Sequence, residues 1–412
     1  MGGPQAVALQ SVVRARSETE AAWMVAEARP GTRLIAGGTD LMLQMAHGRH
    51  APTHLVDIRR AGMNHVQDTD DGIRIGACAT AAELARHPMI QRKAAGLFEA
   101  AGTLSVPQIR NAATLGGNLA NASPAADMVP CILSMDGQLR IKRGDDARLI
   151  AADELAIGPG RTQLADDELL TEIRLPKWAD SAFHHFTKMG FRDAQVIALC
   201  SMALSIDFDG DEVSRVGIAW GSVAAKVVRS KEVEDFLLGK KLTRDVVEEC
   251  CRILQQDISP IDDHRSEAAY RRQVCENFLV DGLMRAHHHR QGVDLQDLKD
   301  VGDDLKAHLQ DPAARPASII GAVRTEPLAI LKPKAGKSLV VQPTSPEAFK
   351  TPKKKAAAKK KTAAKKKTAA KKKTAAKKKT AAKKKPAAKK KTAAKKKTAA
   401  KKKPAAKKRS KR

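Results

Sequence analysis

The sequence predicts an α+β protein of more than one domain, followed by a lysine-rich tail. Three observations predict it. Short apolar runs of strand type alternate with helical patterns over roughly the first 180 residues. From about Ser181 to His289, strand patterns come first and helical patterns follow, the arrangement of an α+β layer. From Lys353 to Arg412 the chain gives way to a repeat of lysine triplets. The preceding body, about 350 residues, exceeds one typical hydrophobic core.

Arg33–Ala36 is a short β-type run that ends in Gly37-Gly38, and Thr53–Ile58 and Ile73–Ala77 are further strands. Thr80–Arg86 opens like a helix, because Thr80 can cap it and Glu83 stands at capping-box spacing. Thr171–Leu175 alternates polar and apolar residues and stops at Pro176, as a strand does. In the second region Ile197–Phe208 and Arg215–Trp220 read as strands. Lys231–Leu238, Arg244–Gln255 and Ser266–Leu283 read as helices. The pattern weakens from about Gln291, where prolines recur, and that stretch reads as a linker.

Charge is distributed unevenly. The chain has 74 basic and 46 acidic residues, a net of +28, but residues 353–412 contribute 30 Lys, 2 Arg and no acid. The remainder, with 42 basic and 46 acidic residues, is mildly acidic at −4. The tail repeat has a period of six, which walks its lysines around every face of a helix, so a disordered, extended segment is expected. No run of 18 apolar residues predicts a membrane helix. The N-terminal residues do not form a secretory leader, so a cytoplasmic location is expected. The six cysteines are scattered with no Cys-x-x-Cys pair, which reads as reduced, buried thiols rather than metal or cluster ligands.

Two segments carry the chemistry. Leu34, Ile35, Ala36, Gly37, Gly38, Thr39, Asp40 and Leu41 run from a strand into a double glycine and a polar pair. Thr114, Leu115, Gly116, Gly117 and Asn118 form a second double-glycine turn, continued through Asn121, Ser123 and Asp127. Glycines let the backbone approach a ligand closely, and successive N–H groups in such turns can cradle phosphate. Two such turns suit two parts of one pyrophosphate-containing ligand. The common nucleotide signatures are absent: no Gly-x-Gly-x-x-Gly occurs, and Gly336-Lys337-Ser338 has Leu331 where a P-loop needs glycine. His287-His288-His289 reads as a solvated helix end.

These two segments resemble the flavin-binding segments of the medium subunit of the xanthine dehydrogenase and carbon monoxide dehydrogenase (molybdenum hydroxylase) family. Further stretches resemble it in the same order: Gly158–Thr162, Asp167–Pro176, Lys188–Ala198, Gly221–Ala224, and Pro260–Ser266 with Tyr270-Arg271-Arg272. The resemblance covers about residues 8–286. It implies a PCMH-type flavin domain of two subdomains over residues 1–178, with FAD between them. It also implies a C-terminal domain over 181–289, like that of the carbon monoxide dehydrogenase flavoprotein, with a three-stranded sheet and a helical bundle. Residues 290–352 are then linker and 353–412 tail. Leu34 to Leu41 would wrap the pyrophosphate, and Thr114 to Asn118, with Ser123 nearby, would meet the phosphates and ribitol. By the same resemblance Asp127 contacts the cofactor, Leu170 and Lys188 lie near the flavin ring, and Leu104 lies beside the adenine. The cysteine insert of the related 4-hydroxybenzoyl-CoA reductase is missing, so no extra cluster is expected.

The function implied is electron transfer. A large subunit would hold the molybdenum cofactor, a small subunit two [2Fe–2S] clusters, and this chain FAD, from which electrons pass to an acceptor. The tail suggests a different function, binding of nucleic acid or another polyanion without sequence reading.

Overall fold

In the computed structural model, residues 9–192 and 195–292 are described; the lysine-rich tail and the expected linker from residue 293 onward lie outside them, and Arg290, expected to open the linker, still belongs to a helix. The chain first builds a small parallel sheet from β1 (Ser11–Arg14), β2 (Thr32–Ile35) and β3 (His54–Asp57), in the order β1-β3-β2. Parallel strands of one sheet need a crossover, and the helix Glu18–Ala26 makes the one from β1 to β2, which flank β3. Ser17 caps it by accepting from the Glu20 amide at 3.1 Å, and Ala21, Ala22 and Val25 form its buried face. Asp57, at the end of β3, accepts hydrogen bonds from Arg59 and Arg14. Chiefly through Arg59, these hold its carboxyl far below the usual carboxylate range. The ion pairs tie the strand end to the next loop.

A five-stranded antiparallel sheet follows. It comprises β4 (Val66–Thr69), β5 (Gly72–Gly76), β6 (Gln138–Arg143), β7 (Asp146–Ala151) and, after the short hairpin β8 (Ala156–Gly158)–β9 (Arg161–Thr162), β10 (Leu169–Pro176). Its order is β4-β5-β10-β6-β7. Ile73, Ile75, Leu139, Ile141, Ile173 and Leu175 point into the main core and meet the helices Ala95–Thr103 and Val129–Ser134. The expected capping box is present, with Thr80 and Glu83 bonded reciprocally, but the helix it opens spans only Ala81–Leu84.

The C-terminal domain is an antiparallel sheet of β11 (Phe183–Met189), β12 (Cys200–Asp209), β13 (Glu212–Gly221) and β14 (Val228–Arg229). It therefore has four strands rather than the three expected; the fourth is a two-residue strand, too short to show alternation in sequence. The helices Lys231–Leu237, Arg244–Asp257 and Ala268–Arg290 share its core with Met202, Leu204, Ile206, Ile218 and Trp220. Gly282 permits the last helix to lie close, since a β-carbon there would stand 2.7 Å from the Met202 methyl. The same sheet rests on the N-terminal core: a β-carbon on Gly217 would fall 1.9 Å from the Ser134 carbonyl oxygen. Arg215 stacks 3.7 Å over Trp178 and bonds Asp136 at 2.7 Å. His184, buried between these layers, is driven down to about 4 by loss of water and by Arg215. Among the described residues every cysteine is a free thiol, all but Cys251 fully buried. No helix there is long and apolar enough to cross a membrane.

Candidate functional site

Parallel strands deliver their following loops to one end of a sheet, and β2 delivers the first glycine turn in this way. At that end a cleft of about 770 Å³ opens. One wall is Leu34, Ile35, Ala36, Gly37, Gly38, Thr39, Asp40 and Leu41. A second wall is Thr114, Gly116, Gly117 and Asn118, flanked by Leu104, Ile109 and Ala113. A third comes from Gly160, Thr162, Leu164, Ala165, Asp166, Glu168, Leu169 and Leu170. The volume falls within the ~300–1,000 Å³ of pockets that enclose a whole organic ligand.

Local physics explains why the glycines stand where they do. A β-carbon on Gly37 would lie 1.8 Å from the Ala112 carbonyl oxygen, so the two turns touch backbone to backbone. Gly38 has φ +70°, the left-handed region. Gly116 packs on β5's exit, its amide donating to the Ala77 carbonyl at 2.8 Å. Thr114 caps the helix Leu115–Ala120 by accepting from the Gly117 amide at 3.1 Å. On the third wall, Glu168 accepts both Arg148 nitrogens and the Ala165 amide; chiefly through Arg148 its carboxyl sits below the usual range. Those bonds fix the loop leading to Leu170.

Fourteen of the eighteen residues singled out in sequence line the cleft; Leu115, Ser123, Asp127 and Lys188 do not. Leu115 is fully buried in the core, its amide donating to the Ala79 carbonyl. The Ser123 hydroxyl accepts from the Ala125 amide, 3.2 Å away, in the loop after the helix. Asp127 and Lys188 form an ion pair of 2.7 Å with each other, each side chain 9% exposed. Burial pushes the Asp127 carboxyl up, against the pull of Lys188.

Comparison with known proteins bears on this geometry. Residues 7–178 match the family described as the FAD binding domain in molybdopterin dehydrogenase. Residues 184–286 match the CO dehydrogenase flavoprotein C-terminal domain. The glyceraldehyde dehydrogenase medium chain of Sulfolobus acidocaldarius is 31% identical over 267 residues, which cover 65% of this chain and 94% of that one. The chain belongs to the FAD-binding medium subunits of the molybdenum hydroxylase family. A putative xanthine dehydrogenase FAD-binding subunit of Escherichia coli is also 31% identical, over 60% of this chain and 86% of that protein. Among solved structures, a carbon monoxide dehydrogenase from Hydrogenophaga pseudoflava superposes with a TM-score of 0.65. It is 26% identical, and the match covers 68% of this chain and 97% of that one.

This medium subunit is an oxidoreductase component whose cofactor is FAD. The cleft fits that group. Its walls bear two glycine turns, one of them with no room for any side chain at Gly37. The Asn118 Oδ1, on its second wall, is buried and has no protein hydrogen-bond partner, so it is an acceptor left for a ligand donor. In sequence Gly160, Thr162 and Glu168 carry only the family resemblance; in the structure they and their neighbours form a wall. Ile109 and Arg110 were not singled out at all; their one signal was their position just ahead of the second glycine segment.

Proposed function

We propose that this chain is the electron-transfer subunit of a molybdenum hydroxylase complex. It would receive electrons from the [2Fe–2S] clusters of a small partner subunit and deliver them to an acceptor, while a large partner subunit holds the molybdenum cofactor and the substrate. The bound flavin supplies the redox chemistry, since it takes up electrons singly or in pairs. What the chain supplies is placement. Gly37, Gly38 and Thr39, with Thr114, Gly116 and Gly117, would hold the pyrophosphate and ribitol, and the Asn118 side chain would accept a donor of the cofactor. Leu104 and Leu170 would form apolar walls. Asp127 and Lys188 would act at the margin of the site.

The observation that carries the reading is the joining of two sequence-distant glycine turns, at Gly37 and Ala112–Ala113, into one cleft. The description of relatives as medium chains or FAD-binding subunits supports the larger assembly. The test is purification of the chain from its native host. Stoichiometric FAD is expected, together with co-elution of a molybdenum-bearing and an iron–sulfur polypeptide. A flavin-loaded chain that purifies alone and oxidises a substrate unaided would overturn the relay, and a chain that takes up no FAD would overturn the cofactor assignment.

A further inference from the structure

Three successive carbonyl oxygens at the edge of the cleft are each captured by a cation. The Lys188 ammonium donates to the Thr103 carbonyl at 2.9 Å. The Arg110 Nη1 donates to the Leu104 carbonyl at 2.9 Å and to the Ser105 carbonyl at 3.2 Å. These carbonyls end the helix Ala95–Thr103, where a chain usually turns on glycine. Here the left-handed position is Ser105, with φ +43°, which a residue bearing a β-carbon adopts only when its surroundings force it. A cation also suits a helix C-terminus, where unpaired carbonyls concentrate negative charge.

The two cations come from different parts of the molecule. Lys188 stands on β11 of the C-terminal domain and is held by Asp127 at 2.7 Å. Arg110 ends the short helix Pro107–Arg110, which leads into the second glycine segment. Neither Lys188 nor Arg110 lines the cleft, whereas Leu104, between the captured carbonyls, does. We propose that Lys188 and Arg110 are positioning residues for the flavin: together they clamp residues 103–105 in a strained turn and so set the Leu104 wall against which FAD binds. Asp127 acts through Lys188, by holding its ammonium in place. The clamp also makes the wall answer to the C-terminal domain, since one jaw is carried by that domain's edge strand. This inference rests on FAD occupying the cleft.

The experiment uses the full chain, stripped of flavin and titrated with FAD. Affinity is read by quenching of flavin fluorescence, and ring placement by the visible circular dichroism of the bound flavin. Arg110→Gln and Lys188→Met should each weaken binding roughly tenfold or more, the scale of a lost charge-assisted hydrogen bond. Both should also alter the flavin's dichroism. Lys188→Arg should restore most of the affinity. In a Leu104→Ala background, removing Arg110 should cost no more than roughly threefold, because the wall it sets is gone. Arg110 bonds only backbone here and is half-buried, so its variant keeps the test open if Lys188→Met does not fold. Wild-type affinity and dichroism in Arg110→Gln would overturn the clamp, as would an undiminished Arg110 effect in the Leu104→Ala background. A wild-type chain that binds no FAD would remove the cofactor reading itself, an outcome distinct from both.

Discussion

The two double-glycine turns read alike in sequence and differ in what their glycines do. In the first, Gly37 makes room for another stretch of backbone and Gly38 supplies a left-handed φ of +70°. In the second, neither glycine has a positive φ. Gly116 makes room for β5's exit, where a β-carbon would meet the Ala77 β-carbon and carbonyl at 2.7 Å. Gly117 meets only the Thr114 hydroxyl, at 2.9 Å. The first turn is thus a joint between two walls of the cleft, and the second is the first turn of a capped helix docked on the sheet. A double glycine in a chain says that backbone comes close to something. Whether that something is ligand, backbone or side chain is decided by the fold.

Substitutions can break or sharpen this comparison. Gly37→Ala should be the most damaging. The Ala112 carbonyl cannot yield without moving the second wall, so about 3 kcal/mol of stability should be lost, with FAD affinity falling as the cleft opens. Chemical denaturation of the apo chain and a flavin titration would measure the two effects. Gly116→Ala should cost about 2 kcal/mol by forcing the helix Leu115–Ala120 off β5, with a similar fall in both measurements. Gly38→Ala should cost about 1 kcal/mol, the strain of a left-handed alanine, with a smaller effect on FAD. Gly117→Ala should be nearly neutral to stability. The helix-propensity gain of about 1 kcal/mol offsets the push on the Thr114 hydroxyl. If Gly117→Ala proved as damaging to the apo fold as Gly37→Ala, the contrast between the turns would be wrong. If it left the fold intact but reduced FAD binding steeply, Gly117 would lie closer to the ligand than to Thr114.

Much of the fold was legible because its signals are local. Thr80 and Glu83 announced a capping box, and the strands at β2, β3, β5 and β10 begin and end within two residues of the apolar runs that predicted them. Where packing decides, sequence said less. The helical pattern fades after Leu283, yet the last helix runs unbroken to Arg290: Ala286 is buried and His289 meets the Phe183 ring at 5.3 Å. The histidine triplet does form the helix's last turn, with His289 exposed, as its sequence reads. Strand β14 exists through its pairing with Ala219 and Trp220, which two residues cannot foretell.

The site shows the same division. The glycine segments were legible because backbone proximity demands glycine whatever the fold. The partnership of Asp127 with Lys188 joins residues 61 apart and was invisible as a pair. Arg110 bonds only backbone carbonyls, an arrangement with no sequence signature. The lysine-rich tail, readable only by composition, lies outside the described residues, and the polyanion reading lies there with it.

The central claim is that the joined glycine turns form one FAD site in a redox subunit. It is tested most directly by titrating the flavin-free full chain with FAD, alongside Gly37→Ala. The account predicts saturable uptake of one FAD per chain by the wild type, and severe loss of uptake in the variant. A wild-type chain that binds no FAD, or a Gly37→Ala chain that binds it equally well, would contradict the account.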